Sequence, residues 1–280
     1  MTSLSAILPR ISAALLPSRC ANPNCQQTSL LARARNLGNG IRLYDRHFCS
    51  PDCLEQHLRE TLRELTAVPA RGEGKSPNRM PLGLTLLSRG SLTREQLQIA
   101  LQQHRESGVR LGDVVLTLGF VTERQMTSAL AMQCGYPVYP LAAENPDSLP
   151  VSIPIRLLES NSMLPVRFAE EGSRLFLGFA CGIQYGVLEA VGRMLSCDPV
   201  PCVIAMSEYR ERMQALVSLK LDTELIFDGL NAPGEIARII RSYSIRLGAQ
   251  EVRIERCREY LWARIKGRQQ LDLLFRLVQS

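Results

Sequence analysis

Four cysteines stand at spacings that suit a metal ion: Cys20-x4-Cys25 in RCANPNCQQ and Cys49-x3-Cys53 in HFCSPDCLEQ. Each pair makes a chelating bend, and the chain between the pairs can close the set into a tetrahedron. Asn22, Pro23 and Asn24 in one bend, and Ser50, Pro51 and Asp52 in the other, are turn-forming residues. Four thiolates leave no open position for water, so the zinc expected here is structural. They also leave no place for His47 as a ligand. A pair of disulfides is the alternative, and it suits the cytoplasmic setting expected for this chain poorly. Cys134, Cys181, Cys197, Cys202 and Cys257 are scattered and read as small buried packing residues.

Catalytic chemistry finds little support. Gly74-Lys75-Ser76 in ARGEGKSPNRM imitates the end of a phosphate-binding loop, but Pro69 stands where its first glycine belongs. Pro77 follows the serine at once, and no apolar strand leads in, so backbone N–H groups cannot be aimed at a phosphate from a helix start. The only histidines are His47, His57 and His104. No metalloprotease helix, Ser-His-Asp set or dinucleotide loop is present, and the chain is expected not to be an enzyme.

A third constellation is repeated. PLGLTLLSRGSLTREQLQIALQQH aligns with RLGDVVLTLGFVTERQMTSALAMQ at an offset of 29, pairing Leu82 with Leu111, Gly83 with Gly112, Gly90 with Gly119 and Leu101 with Leu130. Each copy predicts two short helices. The first is ended by a left-handed glycine, Gly90 or Gly119. The second is opened by a capping box, Thr93 with Gln96 or Thr122 with Gln125. Leu97 and Leu101, like Met126 and Leu130, share a helical face, with His104 or Gln133 near a turn further on.

Around these lie the elements that must hold them. The N-terminal residues 1–17 carry Leu4, Ile7, Leu8, Ile11 and Leu15 on one helical stripe, with no signal-peptide cleavage pattern. Residues 18–66 form the cysteine module and residues 67–80 a Pro- and Gly-rich linker. The tandem repeat occupies 81–138, followed by an α+β segment at 139–218, a linker at 219–232 and a small α+β domain at 233–280. The fold class is therefore α+β and multidomain. No apolar run is long enough to span a membrane. The net charge is +6, and residues 1–80 supply +5 of it. A zinc ion with four thiolates would lower that share to about +3, a weak attraction for a polyanion, and no aromatic platform accompanies it. Nucleic acid is thus a disfavoured partner, retained as an alternative.

The cysteine module resembles a treble-clef zinc finger: a knuckle, a hairpin around Gly38–Tyr44, then a helix from Pro51 that carries the last ligand. The tandem pattern R-L-G-x-x-L-x-x-x-G-[LF]-[IV]-x4-L-x3-L-x-x-Q resembles the N-terminal domain of type II secretion and type IV pilus-assembly ATPases. That resemblance implies binding of cyclic di-GMP, with Leu82, Gly83, Leu97, Leu101 and His104 from the first copy. From the second it implies Arg110, Leu111, Gly112, Met126, Leu130 and Gln133. An arginine can pair with guanine O6 and N7 or stack on the base, and glycine lets backbone N–H groups approach phosphate. The first copy departs from the pattern: Pro81 replaces the arginine and His104 the glutamine.

The segments SMLPVRF, RLFLGFA, IQYGVLEAVGRML, PVPCVIA and SEYRERMQALV read as strand, strand, helix, strand and helix, similar to the companion subdomain of that family. Cys181-Gly182 stands where the family often has Asp-Pro, and Tyr185 and Tyr209 read as core or surface residues. Gly248-Ala249-Gln250-Glu251-Val252-Arg253-Ile254-Glu255 resembles a degraded form of the next domain's G-A-S-D-[IV]-H-[IF]-E run. The family's motor domain would lie beyond Ser280. The expectation is a regulatory adaptor that answers to cyclic di-GMP and meets a protein of the pilus or secretion machinery. A ligand-free interaction scaffold and a zinc-finger nucleic-acid regulator are the alternatives.

Overall fold

The computed structural model describes residues 19–26, 40–67, 80–141, 153–169, 173–218, 224–230 and 232–277. The expected helix at 1–17 and the linker residues 68–79 lie outside them. The first described elements are strands β1 (Ile41–Leu43) and β2 (Arg46–Phe48) and helix α1 (Pro51–Ala67). The repeat follows as α2 (Leu82–Ser88), α3 (Arg94–Ser107), α4 (Leu111–Thr117) and α5 (Glu123–Cys134). Next come α6 (Ile155–Asn161), β3 (Met163–Ala169), β4 (Arg174–Phe179), α7 (Tyr185–Leu195), β5 (Asp198–Val203) and α8 (Met206–Ser218). The last are β6 (Glu224–Asp228), α9 (Pro233–Leu247), β7 (Glu251–Cys257), β8 (Tyr260–Lys266) and β9 (Gln270–Arg276).

The chain divides into two compact units, neither continuous in sequence. The first joins Met1–Glu64 with Asn231–Arg253 and Arg264–Gln270. The second joins Leu65–Leu230 with Ile254–Ala263 and Leu271–Ser280. In the first unit β1 and β2 form a hairpin whose turn is Tyr44-Asp45, with Tyr44 at φ 53°. The hairpin thus sits later than the expected position around Gly38–Tyr44, because Tyr44 itself takes the left-handed turn conformation. The start of β7 pairs parallel with β1, Arg42 opposite Glu251 and Leu43 opposite Val252. The C-terminal helix α9 ends on Gly248, at φ 60°. Its Arg241 meets Asp52 of α1 at 2.6 Å and Glu55 at 3.4 Å. The cysteine module and the start of the C-terminal domain, expected as separate domains, share one unit.

The second unit contains the four repeat helices and a three-stranded sheet, β3-β4-β5. β3 and β4 are antiparallel; β4 and β5 are parallel across the α7 crossover. The register shifts between Pro165 and Arg167 on edge strand β3, where a residue without an N–H is tolerated. After α5 the chain passes along β5, with Tyr139 N–H donating to Val203 O at 2.7 Å and Val203 N–H to Pro137 O at 2.9 Å. Leu175, Leu177, Phe179, Val191, Met194 and Trp262 lie in this unit's main core. Residues 224–228, within the segment read as a linker, instead form β6, parallel to β9 with Glu224 opposite Asp272. Trp262 Nε1–H donates to the buried Asp272 carboxylate at 2.8 Å, which satisfies both polar groups. Strands β7, β8 and β9 each contribute residues to both units.

Candidate functional site

The cysteine set is built by two local devices. Asn22 folds the first bend, its Oδ1 accepting from Asn24 N–H at 3.0 Å while its O accepts from Cys25 N–H at 3.1 Å. Ser50 caps α1, its Oγ accepting from Cys53 N–H at 3.2 Å, with Pro51 as the first helical residue. Asn22 Nδ2–H then donates to Gln56 Oε1 at 2.8 Å, tying the bend to the helix. Cys20, Cys25, Cys49 and Cys53 consequently place all four Sγ atoms within 4.8 Å of one another. Sγ of Cys49 lies 3.5 Å from that of Cys25 and 3.6 Å from that of Cys53. A tetrahedral zinc with bonds of about 2.3 Å has sulfur edges of ~3.8 Å, so the donor set fits such an ion. Burial, followed by the neighbouring thiols, pushes the Cys49 thiol well above its ordinary range. Burial also raises Cys20. A central cation would reverse that preference and release the protons. His47 is not among the four; its ring covers Gly40, where no Cβ would fit, and burial and then Arg42 push its pKa down.

The repeat folds as its caps dictate. Thr93 and Thr122 both form complete capping boxes, with Gln96 and Gln125. Gly90 and Gly119 both take left-handed φ, 65° and 69°. The packing is reciprocal: α2 lies on α5, and α4 on α3. A Cβ on Gly83 would meet Leu97 Cδ1 at 2.8 Å and Leu111 Cδ2 at 3.4 Å. One on Gly112 would meet Leu82 Cδ2 at 3.5 Å and Met126 Sδ at 3.8 Å. Each copy's first-helix glycine therefore faces its own second helix and the leading leucine of the other copy.

The polar tips are exchanged in the same way. Gln133 Nε2–H donates to Met80 O at 2.9 Å, and His104 Nδ1 lies 2.5 Å from Val109 O. Residues 80 and 109 are themselves equivalents at the offset of 29. His104 thus braces the residue before Arg110, while Gln133 braces the residue before Pro81. Arg110 and Pro81 share one backbone geometry, φ −57° and ψ 139° against φ −55° and ψ 143°. Proline keeps the bend and loses the guanidinium.

A cavity of about 420 Å³ opens at the second copy, within the usual size range of small-ligand sites. Five of the eleven residues expected to touch a nucleotide line it: Leu82, Arg110, Gly112, Met126 and Leu130. Gly83, Leu97, Leu101, His104, Leu111 and Gln133 are not in its wall. Sequence reasoning did not single out Asp113, Glu123, Met206 or Arg210 among the other walls, whereas it marked Cys181 as standing in place of a family Asp. Glu123 follows the Thr122 cap, and its carboxylate accepts from Ser207 N–H at 2.6 Å and Ser207 Oγ–H at 2.7 Å, capping α8. Arg210 carries no motif, and only the fold brings it here. Cys181, expected as a buried packing residue, stands instead half-buried in the cavity wall just past the end of β4. Cys197 is likewise half-buried, whereas Cys134, Cys202 and Cys257 are buried as expected. Tyr209 is in the core, donating to Leu158 O at 3.4 Å, and burial pushes its phenol up to about 12.

Among the described residues no helix is long and apolar enough to cross a membrane. No family model matches the chain. Over 111 residues it is 31% identical to the type IV pilus assembly ATPase PilB of Thermus thermophilus, covering 39% of this chain and 12% of that protein. Over 121 residues it is 34% identical to bacteriophage adsorption protein B of Escherichia coli K12, covering 43% of this chain and 16% of that protein. The chain thus spans only a small part of the curated relatives it matches. Among solved structures, MshE with cdg overlaps 49% of this chain and 99% of its own at 24% identity and a TM-score of 0.42. The N-terminal domain of XpsE overlaps 48% of this chain and 91% of its own at 22% identity and a TM-score of 0.39. The chain thus shares one stretch with a type IV pilus assembly ATPase and one with a bacteriophage adsorption protein.

Proposed function

We propose that this chain is a non-catalytic regulatory or adaptor protein that responds to cyclic di-GMP, with a structural zinc in its cysteine cluster. The observation that carries the reading is the cavity in which Leu82 of one copy meets Arg110, Gly112, Met126 and Leu130 of the other. Leucine and methionine offer apolar surface to a purine, Gly112 leaves the backbone open, and Arg110 supplies the charge. His104 acts through Val109, fixing the bend from which Arg110 projects. Kinship with a pilus-assembly ATPase supports a protein partner in pilus or secretion machinery. Ligand binding regulates that partner only if two arrangements of the protein bind the nucleotide with different affinity.

Calorimetry with cyclic di-GMP tests the reading. Saturable heat is expected, and Arg110→Ala should weaken it by about ten- to a hundredfold, the worth of one charge-assisted contact. Absence of heat with folded protein overturns it. A scaffold that binds no nucleotide is the second reading, favoured by Pro81 and by Leu84, which is 49% exposed where the other copy has Asp113; the same absence of heat would support it. For the metal, Cys49→Ser should lower bound zinc and the melting temperature together. Full metal content in that variant would remove the zinc assignment.

A further inference from the structure

We propose that the cavity grips a single guanine nucleotide unit asymmetrically, with its phosphate held between Arg110 of the repeat and Arg210 of α8. This rests on the nucleotide reading above and adds to it a residue from outside the repeat and a one-sided mode of binding. The two copies are equivalent in backbone but not in chemistry. At the offset of 29, Pro81 replaces Arg110, Leu84 replaces Asp113 and Arg94 replaces Glu123. Leu82 is the one first-copy residue in the wall, whereas α8 adds Met206 and Arg210. The second copy's cavity is thus completed by the companion subdomain rather than by the first copy.

The charges there are unevenly engaged. Glu123 is committed to Ser207 through both carboxylate oxygens, at 2.6 and 2.7 Å. Arg110 and Arg210 both line this space, and no ion pair joins either to another described residue. Guanidinium is the side chain whose geometry matches phosphate oxygens in pairs. Asp113 supplies a carboxylate that can accept from guanine N1–H and N2–H together, a donor pair that adenine lacks. The first copy offers only Pro81 and Leu84 at the positions of Arg110 and Asp113, so the second half of a cyclic dinucleotide gains no charged partner from those two positions.

The test is competition binding on the full chain, with cyclic di-GMP, GMP and AMP as probes, on wild type and on Arg110→Ala, Arg210→Ala and Arg210→Lys. Melting curves establish that each variant is folded. Both alanine variants should weaken cyclic di-GMP by about ten- to a hundredfold, with Arg210→Lys intermediate. GMP should displace the dinucleotide and AMP should not. If Arg210→Ala binds like wild type while Arg110→Ala fails, the role of Arg210 is overturned and the nucleotide reading stands. If cyclic di-GMP binds but GMP cannot displace it, the single-unit mode is overturned. Should GMP bind in an Arg210-dependent way while cyclic di-GMP does not, the asymmetric site stands and the dinucleotide reading falls. Failure of all three probes on folded protein overturns both.

Discussion

Gln133 and His104 show how a repeated residue can act on the copy opposite to the one that sequence suggests. Gln133 belongs to the copy that keeps its arginine, yet it braces Met80 beside Pro81, and His104 braces Val109 beside Arg110. Removing either side chain frees one backbone carbonyl at a partly exposed site, so Gln133→Ala and His104→Ala should each lower stability by about 0.5–1.5 kcal/mol in urea melts. Their effects on nucleotide affinity should differ. His104→Ala loosens the bend that carries Arg110 and weakens binding, whereas Gln133→Ala leaves it within about twofold. Equal losses in affinity would contradict the exchanged bracing. Glu224 gives a second test at this scale. Burial is the largest influence on its carboxyl and raises its pKa, although Ile155 and Arg156 N–H groups bond to it. The folded state therefore holds this proton more tightly than the unfolded chain. Stability falls as pH rises from the ordinary glutamate value of 4.5 through the higher folded one. Glu224→Gln keeps an acceptor for both N–H groups, so it should flatten that slope and raise the melting temperature at pH 7.

Helices α2 and α4 are near copies in sequence, but their glycines have different neighbours. A methyl on Gly83 falls 2.8 Å from Leu97 Cδ1, whereas one on Gly112 reaches nothing nearer than 3.5 Å. Overpacking costs about 1–3 kcal/mol, against a helix-propensity gain of about 1 kcal/mol for replacing glycine by alanine. Gly112→Ala should therefore melt at or above wild type and lose nucleotide affinity, while Gly83→Ala melts below it. Differential scanning calorimetry on both variants checks the order. The repeat elements were legible because their signals are local: a capping box, a left-handed glycine and apolar residues a turn apart. β6 was not, because Glu224–Asp228 becomes a strand only by lying parallel to β9, more than forty residues later. The hairpin, expected around Gly38–Tyr44, lies a few residues later because Tyr44, at φ 53°, makes the turn. Of the cavity, the sequence revealed five of the ten lining residues that the repeat supplies. It could not reveal Arg210, whose position depends on the crossover from β4 to β5 and on the Glu123 cap of α8.

Across the whole chain, the division into units departs most from a linear list of domains. The cysteine module lies more than 160 residues from α9 in sequence, and Pro- and Gly-rich stretches between them read as boundaries. Composition marks where a chain can bend, but not which distant strand will take up an edge. Strand β1 has only three residues, too short to be stable as an isolated hairpin with β2, and β7 gives it a second partner. Arg241 adds an ion pair to Asp52, on the helix that carries Cys53. Metal, hairpin, α1, α9 and the first residues of β7 should then open as one cooperative body. Hydrogen exchange before and after chelation of zinc checks this. Amides of Ile41–Leu43, α1 up to Glu64, α9 and Glu251–Arg253 should lose protection together on metal removal, while those of α2 to α5 keep theirs. Protection of α9 unchanged by chelation, with zinc shown to be gone, would mean that the C-terminal helix stands independently of the cysteine cluster, and the shared unit would have no energetic reality.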